Sequence, residues 1–168
     1  IELLLKFNFR VMLRPHFKIM QDSADLINLI KEKFGKNPNF ILETGVIPTN
    51  LFHNSICLIS DWSGISFEYA FTFERPVIFI DVPKKVLNPN SNNLSNKPIE
   101  IYLRNQIGTI ISQNNLESIL DILKNIPENN VNSKKIQQIR SETVFNIGES
   151  AKIGANYIVQ LLKNINSI

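Results

Sequence analysis

Short apolar runs alternate along this chain with stretches whose apolar residues recur at helical spacing. Ile1 to Lys6 reads as the tail of a helix, and Phe9-Arg10-Val11-Met12-Leu13 as a strand stopped by Pro15. Asp22 or Ser23 is placed to cap a helix reaching about Phe34, with Leu26, Ile27, Ile30 and Phe34 on one face and Gly35 as its terminator. Phe40-Ile41-Leu42 is a second strand, and Pro48 to His53 a brief turn or helix. Ile56-Cys57-Leu58-Ile59 is a third strand, apolar on both faces. Ser63 to Phe73 then has Ile65, Tyr69, Ala70 and Phe73 at inward helical positions, and Pro76 precedes a fourth strand, Val77-Ile78-Phe79-Ile80.

Past Asp81 the pattern changes. Asp81 to about Lys97 is rich in Asn, Ser and Pro and reads as a long loop. Ile107 to Ile111 is a candidate fifth strand. Leu116, Ile119, Leu120 and Leu123 mark a helix stopped near Pro127, and Asn129 to Ser133 is a linker. Two further helices are predicted, about Ser133–Thr143 and Glu149–Lys163. Strands apolar on both faces, alternating with helices, predict an α/β fold: a Rossmann-like parallel sheet with helices on both faces. The 168 residues suit one domain, 1–168. The opening at Ile1, within a helical pattern, suggests a piece of a longer, two-domain protein.

With 43% hydrophobic and 20% charged residues, a packed core is expected rather than disorder. The net charge of +3 suits an anionic ligand such as a nucleotide diphosphate. No basic stripe with interleaved aromatics points to nucleic acid. The single cysteine, Cys57, excludes an internal disulfide, reads as a small core residue and suits a reducing cytoplasm. No apolar run is long enough to cross a bilayer. No zinc-type spacing, P-loop or GxGxxG is present, so neither metal nor cofactor is indicated.

Two segments fall where strands end, the rim at which open parallel sheets bind ligands. The first is Ser60-Asp61-Trp62-Ser63-Gly64-Ile65-Ser66-Phe67-Glu68. Its helix start offers free N–H groups and the positive end of the dipole to a phosphate. Ser60, Ser63 and Ser66 bring hydroxyls, Gly64 permits close backbone approach, and Glu68 suits ribose or glycerol hydroxyls. Asp61 is expected to cap the helix. The bland alternative is that Asp61 and Ser63 do nothing else. The second segment is Arg14-Pro15-His16-Phe17, where Arg14 is a phosphate clamp and His16 a hydrogen-bond donor or acid–base group. Its alternative is a turn with a half-exposed histidine. His53 suggests a structural role. Lys84 and Lys85 meet an anionic substrate or form a solvated loop, and Phe145-Asn146-Ile147-Gly148-Glu149-Ser150 opens the last helix.

"RPHF" after a strand, then "ISDWSGISFEYAFTFERPVIFID", then "FNIGES" before a final helix, together resemble the CDP-glycerol glycerophosphotransferase family, which includes teichoic acid primases and polymerases. The resemblance covers roughly residues 9 to 163. It implies the C-terminal, nucleotide-binding half of a glycosyltransferase-B fold, with the N-terminal domain of the same protein missing. It implies transfer of glycerol phosphate from CDP-glycerol to a polymer or lipid-linked acceptor, with release of CMP, at the cytoplasmic face of the cell membrane. By the same resemblance His16 acts at the donor phosphates, and Asp61, Ser63 and Gly64 surround the pyrophosphate. A chain holding half the cleft is then expected to bind donor without turnover. Phe17 stands where the family commonly has Pro, and Gly64 where it commonly has a second Ser. Gly64 brings the motif closer to UDP-N-acetylglucosamine epimerases, in which a Glu after Ser-Gly contacts the ribose, a part Glu68 suits. The donor thus stays open between a CDP-linked alcohol and another nucleotide-activated sugar or polyol, and a non-catalytic binding module is the third reading.

Overall fold

The computed structural model describes residues 1–45, 52–83, 98–126 and 131–165. The predicted turn at 48–53 lies largely outside them, as do Lys84, Lys85, most of the 81–97 loop and the start of the 129–133 linker. The chain divides into two compact units, Ile1–Ser55 with Asn114–Ile126, and Ile56–Gln113 with Pro127–Ile168.

The first unit holds α1 (Glu2–Lys6), β1 (Val11–Leu13), α2 (Phe17–Asp22), α3 (Ala24–Phe34) and β2 (Phe40–Leu42). The helix Ser118–Lys124 belongs to it too and is numbered α7 below. β1 and β2 pair in parallel, Val11 against Phe40 and Leu13 against Leu42. Phe40 is buried and its ring meets Phe34 at 5.6 Å, so the end of α3 packs on the start of β2. α7 buries Ile119, Leu120 and Leu123, as their spacing predicts, while Leu116 precedes the helix and is exposed. Leu26, expected inward, is exposed. Gly35 does end α3, though in a right-handed conformation. What excludes a side chain there is the carbonyl oxygen of Lys31, which a Cβ would overlap.

The second unit contains β3 (Leu58–Ser60), α4 (Ile65–Phe73), β4 (Val77–Asp81), α5 (Ile99–Tyr102), α6 (Arg104–Ile107) and β5 (Gly108–Ser112). α8 (Val131–Thr143) and α9 (Ser150–Ile165) complete it. Its sheet is parallel with order β3-β4-β5. Val77 lies between Leu58 and Gly108, and Phe79 between Ser60 and Ile110. The central strand is the core: Val77, Ile78 and Phe79 have no exposed surface. α4 adds Phe67, Tyr69 and Ala70, with the Phe67 and Phe79 rings 6.4 Å apart. α6 adds Ile107, and α8 adds Ile136 and Ile139. α9, by contrast, buries no residue: Tyr157, Ile158 and Leu162 all face solvent.

The protein is therefore mixed α/β, built on two small parallel sheets. A single continuous sheet was the expectation; among the described residues no ladder joins β1 or β2 to β3, β4 or β5. Periodicity identifies which runs are strands, but the choice of paired edges is made by contacts distant in sequence. Among the described residues no helix is long and apolar enough to cross a membrane.

One polar cluster ties α4 to α8. Glu74 ends α4 in the left-handed conformation, at φ 55°. Its carboxylate accepts hydrogen bonds from Ser133 Oγ at 2.8 Å, from Gln137 Nε2 and from Arg140 Nη2 at 3.1 Å. Arg140 also donates to the Phe71 carbonyl. The hydrogen bonds from Gln137 and Ser133, and then the Arg140 charge, hold the Glu74 carboxyl below its ordinary 4.5. Because the folded state lowers this pKa, the stabilisation is complete above pH 4.5 and fades as pH falls through the lowered value. Glu74→Gln is expected to lower stability at pH 7. The difference from the parent chain should shrink in urea titrations taken progressively below pH 4.5. A pH-independent difference would contradict this role.

Candidate functional site

The most informative sequence segment lies at the C-terminal end of β3. After Ser60 the chain passes Asp61, which is exposed, and Trp62 and Ser63, which are half-buried, and enters α4. Gly64 is the N-cap, and no side chain caps the helix, so the cap expected of Asp61 is not made. The first turn closes on its own backbone instead. Ser66 N–H donates to the Ser63 carbonyl at 3.1 Å, and Phe67 N–H to the Gly64 carbonyl at 3.0 Å. The N–H groups of Gly64 and Ile65 find no backbone acceptor among the described residues. Gly64 is exposed, and a Cβ added to it would meet nothing within 4 Å. The helix start is therefore uncapped and open, with its dipole undiminished by the nearby carboxylate as a cap.

The predicted hydroxyls part company here. Ser63 stays near the surface, whereas Ser66 is fully buried and its Oγ has no hydrogen-bond partner. Glu68 is exposed on the outer side of α4, one turn in from the helix start.

Alongside lies a cluster that the sequence reading missed. The strand ends of β3 and β4 are neighbours, and Trp62 Nε1 bridges them by donating to the Val82 carbonyl at 2.8 Å. Over the indole sits Arg104, the first residue of α6, its guanidinium carbon 3.7 Å from the ring centroid. The same carbon is 5.1 Å from the Phe79 ring. Arg104 Nη1 donates to Asp81 Oδ1 at 3.3 Å, and Gln113 Nε2 donates to the Asp81 carbonyl at 3.1 Å. Arg104 is 3% exposed, whereas the Asp81 side chain is 57% exposed. Arg104 Nε and Nη2 are buried with no partner. The residues from 98 to 106 carry little apolar periodicity. The available signal was Leu103 and Ile107, four apart and both buried, which bracket the arginine at the inner face of two short helical turns.

Arg14 and His16 belong to the first unit, at the C-terminal end of β1. Pro15 is buried between them, while both flanking side chains are exposed. His16 is the N-cap of α2: its Nδ1 accepts the Lys18 N–H at 3.2 Å, which leaves Nε2 as the protonated nitrogen of the neutral ring. Its ring packs against Phe17 with centroids 4.5 Å apart. A helix start at Phe17 was not expected, since the predicted helix began at Asp22 or Ser23. The structure thus gathers Ser60 to Glu68 on one rim with Arg104 and Asp81, and Arg14 with His16 at the end of β1 in the other unit.

The cap made by His16 is open to test by substitution. His16→Asn keeps a side-chain acceptor for the Lys18 N–H; His16→Ala does not. Thermal stability should fall by about 1 kcal/mol or less in His16→Ala and recover in His16→Asn. Unchanged stability in His16→Ala would contradict the cap.

The remaining candidates carry less. His53 is exposed in a short turn. Cys57, expected in the core, is half-buried; desolvation pushes its thiol up to about 12, the direction of an unreactive cysteine. Among the described residues no three His, Cys, Asp or Glu side chains cluster as metal ligands. Gly148, at φ 82°, and Ser150, whose hydroxyl donates to the Asn146 carbonyl at 2.7 Å, build the turn into α9. Two shallow hollows are lined by none of the residues from Ser60 to Glu68, nor by Arg14, His16 or Arg104. One, about 240 Å³, is lined by Pro76, Gly108, Lys135 and Ile136 at the opposite end of the β3-β4-β5 sheet. The other, about 320 Å³, lies between α3 and β2, along Ile27, Lys31 and Leu42. Comparison with protein-family models, with curated proteins and with solved structures finds no match to this chain.

Proposed function

We propose that this chain binds the nucleotide-linked donor of a transferase that moves glycerol phosphate, or a related polyol phosphate, to a cell-surface polymer acceptor. On this reading the α/β fold is the C-terminal half of a glycosyltransferase-B architecture. The observation that carries it is the uncapped, open start of α4 at the C-terminal end of β3, where a parallel sheet presents free N–H groups to an anion. The net charge of +3 favours the same class of ligand.

The pyrophosphate of the donor accepts from the Gly64 and Ile65 N–H groups and from the Ser63 hydroxyl, and Glu68 accepts from a donor hydroxyl. An acceptor hydroxyl attacks the phosphorus that bears glycerol. The new O–P bond forms as the bond to the CMP oxygen breaks, and the hydroxyl proton passes to a general base. Such a reaction asks the protein for positioning and for neutralisation of charge on the phosphate oxygens.

Calorimetry with CDP-glycerol, CDP, CMP and their uridine counterparts tests the reading. CDP-linked ligands are expected to bind most tightly. Ser63→Ala is expected to weaken them about tenfold, the worth of one hydrogen bond to a charged group. Preference for the uridine series would transfer the site to nucleotide-sugar chemistry. Absence of nucleotide binding by the folded chain would leave a module without a donor.

A further inference from the structure

A guanidinium cannot shed its proton in a protein, so Arg104 is charged although 3% exposed. Its surroundings account for only part of that charge. Asp81 takes one N–H, from Nη1, through a carboxylate that is itself largely in water. The Trp62 indole, fixed by its own hydrogen bond to Val82, takes one face of the plane. What is left is the edge carrying Nε and Nη2, buried and unpaired. Those two nitrogens present parallel N–H bonds, the fork that matches two oxygens of one phosphate or carboxylate. With Nη1 and the ring face both held, this edge is oriented before any ligand arrives, which is what bidentate recognition requires.

We propose that Arg104 is the oxyanion receptor of this rim, and that its Nε and Nη2 take two oxygens of a phosphoryl group. The phosphoryl source is favoured over a carboxylate by position, because Trp62 lies between the end of β3 and the open start of α4, and Asp81 ends the neighbouring strand β4. The identification of that phosphoryl group with the diphosphate of a nucleotide-linked donor rests on the function proposed above; the receptor itself does not. Trp62 and Asp81 are positioning residues, acting through the arginine.

The test is calorimetry on the full chain with inorganic pyrophosphate, cytidine, CMP, CDP and malonate, using the parent chain, Arg104→Lys and Arg104→Met, with thermal melts of each. Lysine keeps the charge without the fork, and methionine removes the charge at similar length. Pyrophosphate and CDP should bind the parent chain and weaken at least tenfold in both variants, while any cytidine affinity is unchanged. Arg104→Met should melt no lower than the parent, since it removes an under-compensated buried charge. If that variant does not fold, Arg104→Lys decides alone: parent-like pyrophosphate affinity in a folded Arg104→Lys chain overturns the proposal. Malonate binding more tightly than pyrophosphate overturns the phosphoryl source, and no anion binding by the parent chain overturns the receptor. Arg104-dependent pyrophosphate binding with no gain from the nucleoside would sink the donor reading and support the receptor. CDP binding indifferent to Arg104 would do the reverse.

Discussion

Phe79→Ala is expected to destabilise the protein by about 3–5 kcal/mol, the range for deleting a fully buried aromatic side chain. Phe79 is the third residue of the central strand and has no exposed surface. It pairs in register with Ser60 on one side and Ile110 on the other, so the cavity would open where all three strands meet. Phe67 stands 6.4 Å away on α4, and the Arg104 guanidinium 5.1 Å away. Neither can collapse into the gap without leaving its own place, Phe67 in α4 and Arg104 over the Trp62 ring. In urea titrations the midpoint should fall with little change in slope, and Phe79→Leu should recover much of the loss. A loss of less than about 1 kcal/mol, the level of an ordinary substitution, would contradict the placement of this ring in the core.

Gly108→Ala is the second large effect. A methyl group at this position would overlap the carbonyl oxygen of Val77 and lie 3.1 Å from the Phe79 ring. The first obstacle is backbone, and backbone in a paired strand cannot rotate aside. The start of β5 must therefore move away from β4, breaking the ladder at its Val77–Gly108 end. The cost is expected at the upper end of the overpacking range, about 3 kcal/mol, with a larger penalty for Gly108→Val. Hydrogen exchange should show the extra opening concentrated in 108–112 before the rest of the sheet. Unchanged exchange there, with an unchanged melting temperature, would mean that β5 does not approach β4 this closely.

These two residues also illustrate how much was legible beforehand. The run Val77-Ile78-Phe79-Ile80 announces a buried strand on composition alone, and the observed strand adds only Asp81. Gly108 was invisible as a constraint, because its role is a close approach to a residue 31 positions earlier. The same contrast holds at the ligand rim. The Ser60 to Glu68 segment could be located because the strand-to-helix transition is local. Arg104 could not, because nothing in the sequence around it tells that its guanidinium lies on Trp62 and beside Asp81. The helical cap on His16 was missed for a related reason: a histidine is a rare cap, and the first turn of α2 has no apolar periodicity to reveal it.

Local pattern by itself determined the alternation of strands and helices, Tyr69 and Ala70 as inward residues of α4, Ile119, Leu120 and Leu123 as those of α7, the glycine that ends α3 and the α/β class, because each depends on side chains a few residues apart. The tertiary structure alone decided that the strands form two parallel ladders, that Ser66 faces inward while the start of α4 is left uncapped, and that α9 buries nothing. It alone placed a charged guanidinium in the interior beside those strand ends. Those outcomes are set by which surfaces meet across long stretches of chain, and by which polar atoms are left unpaired once they have met.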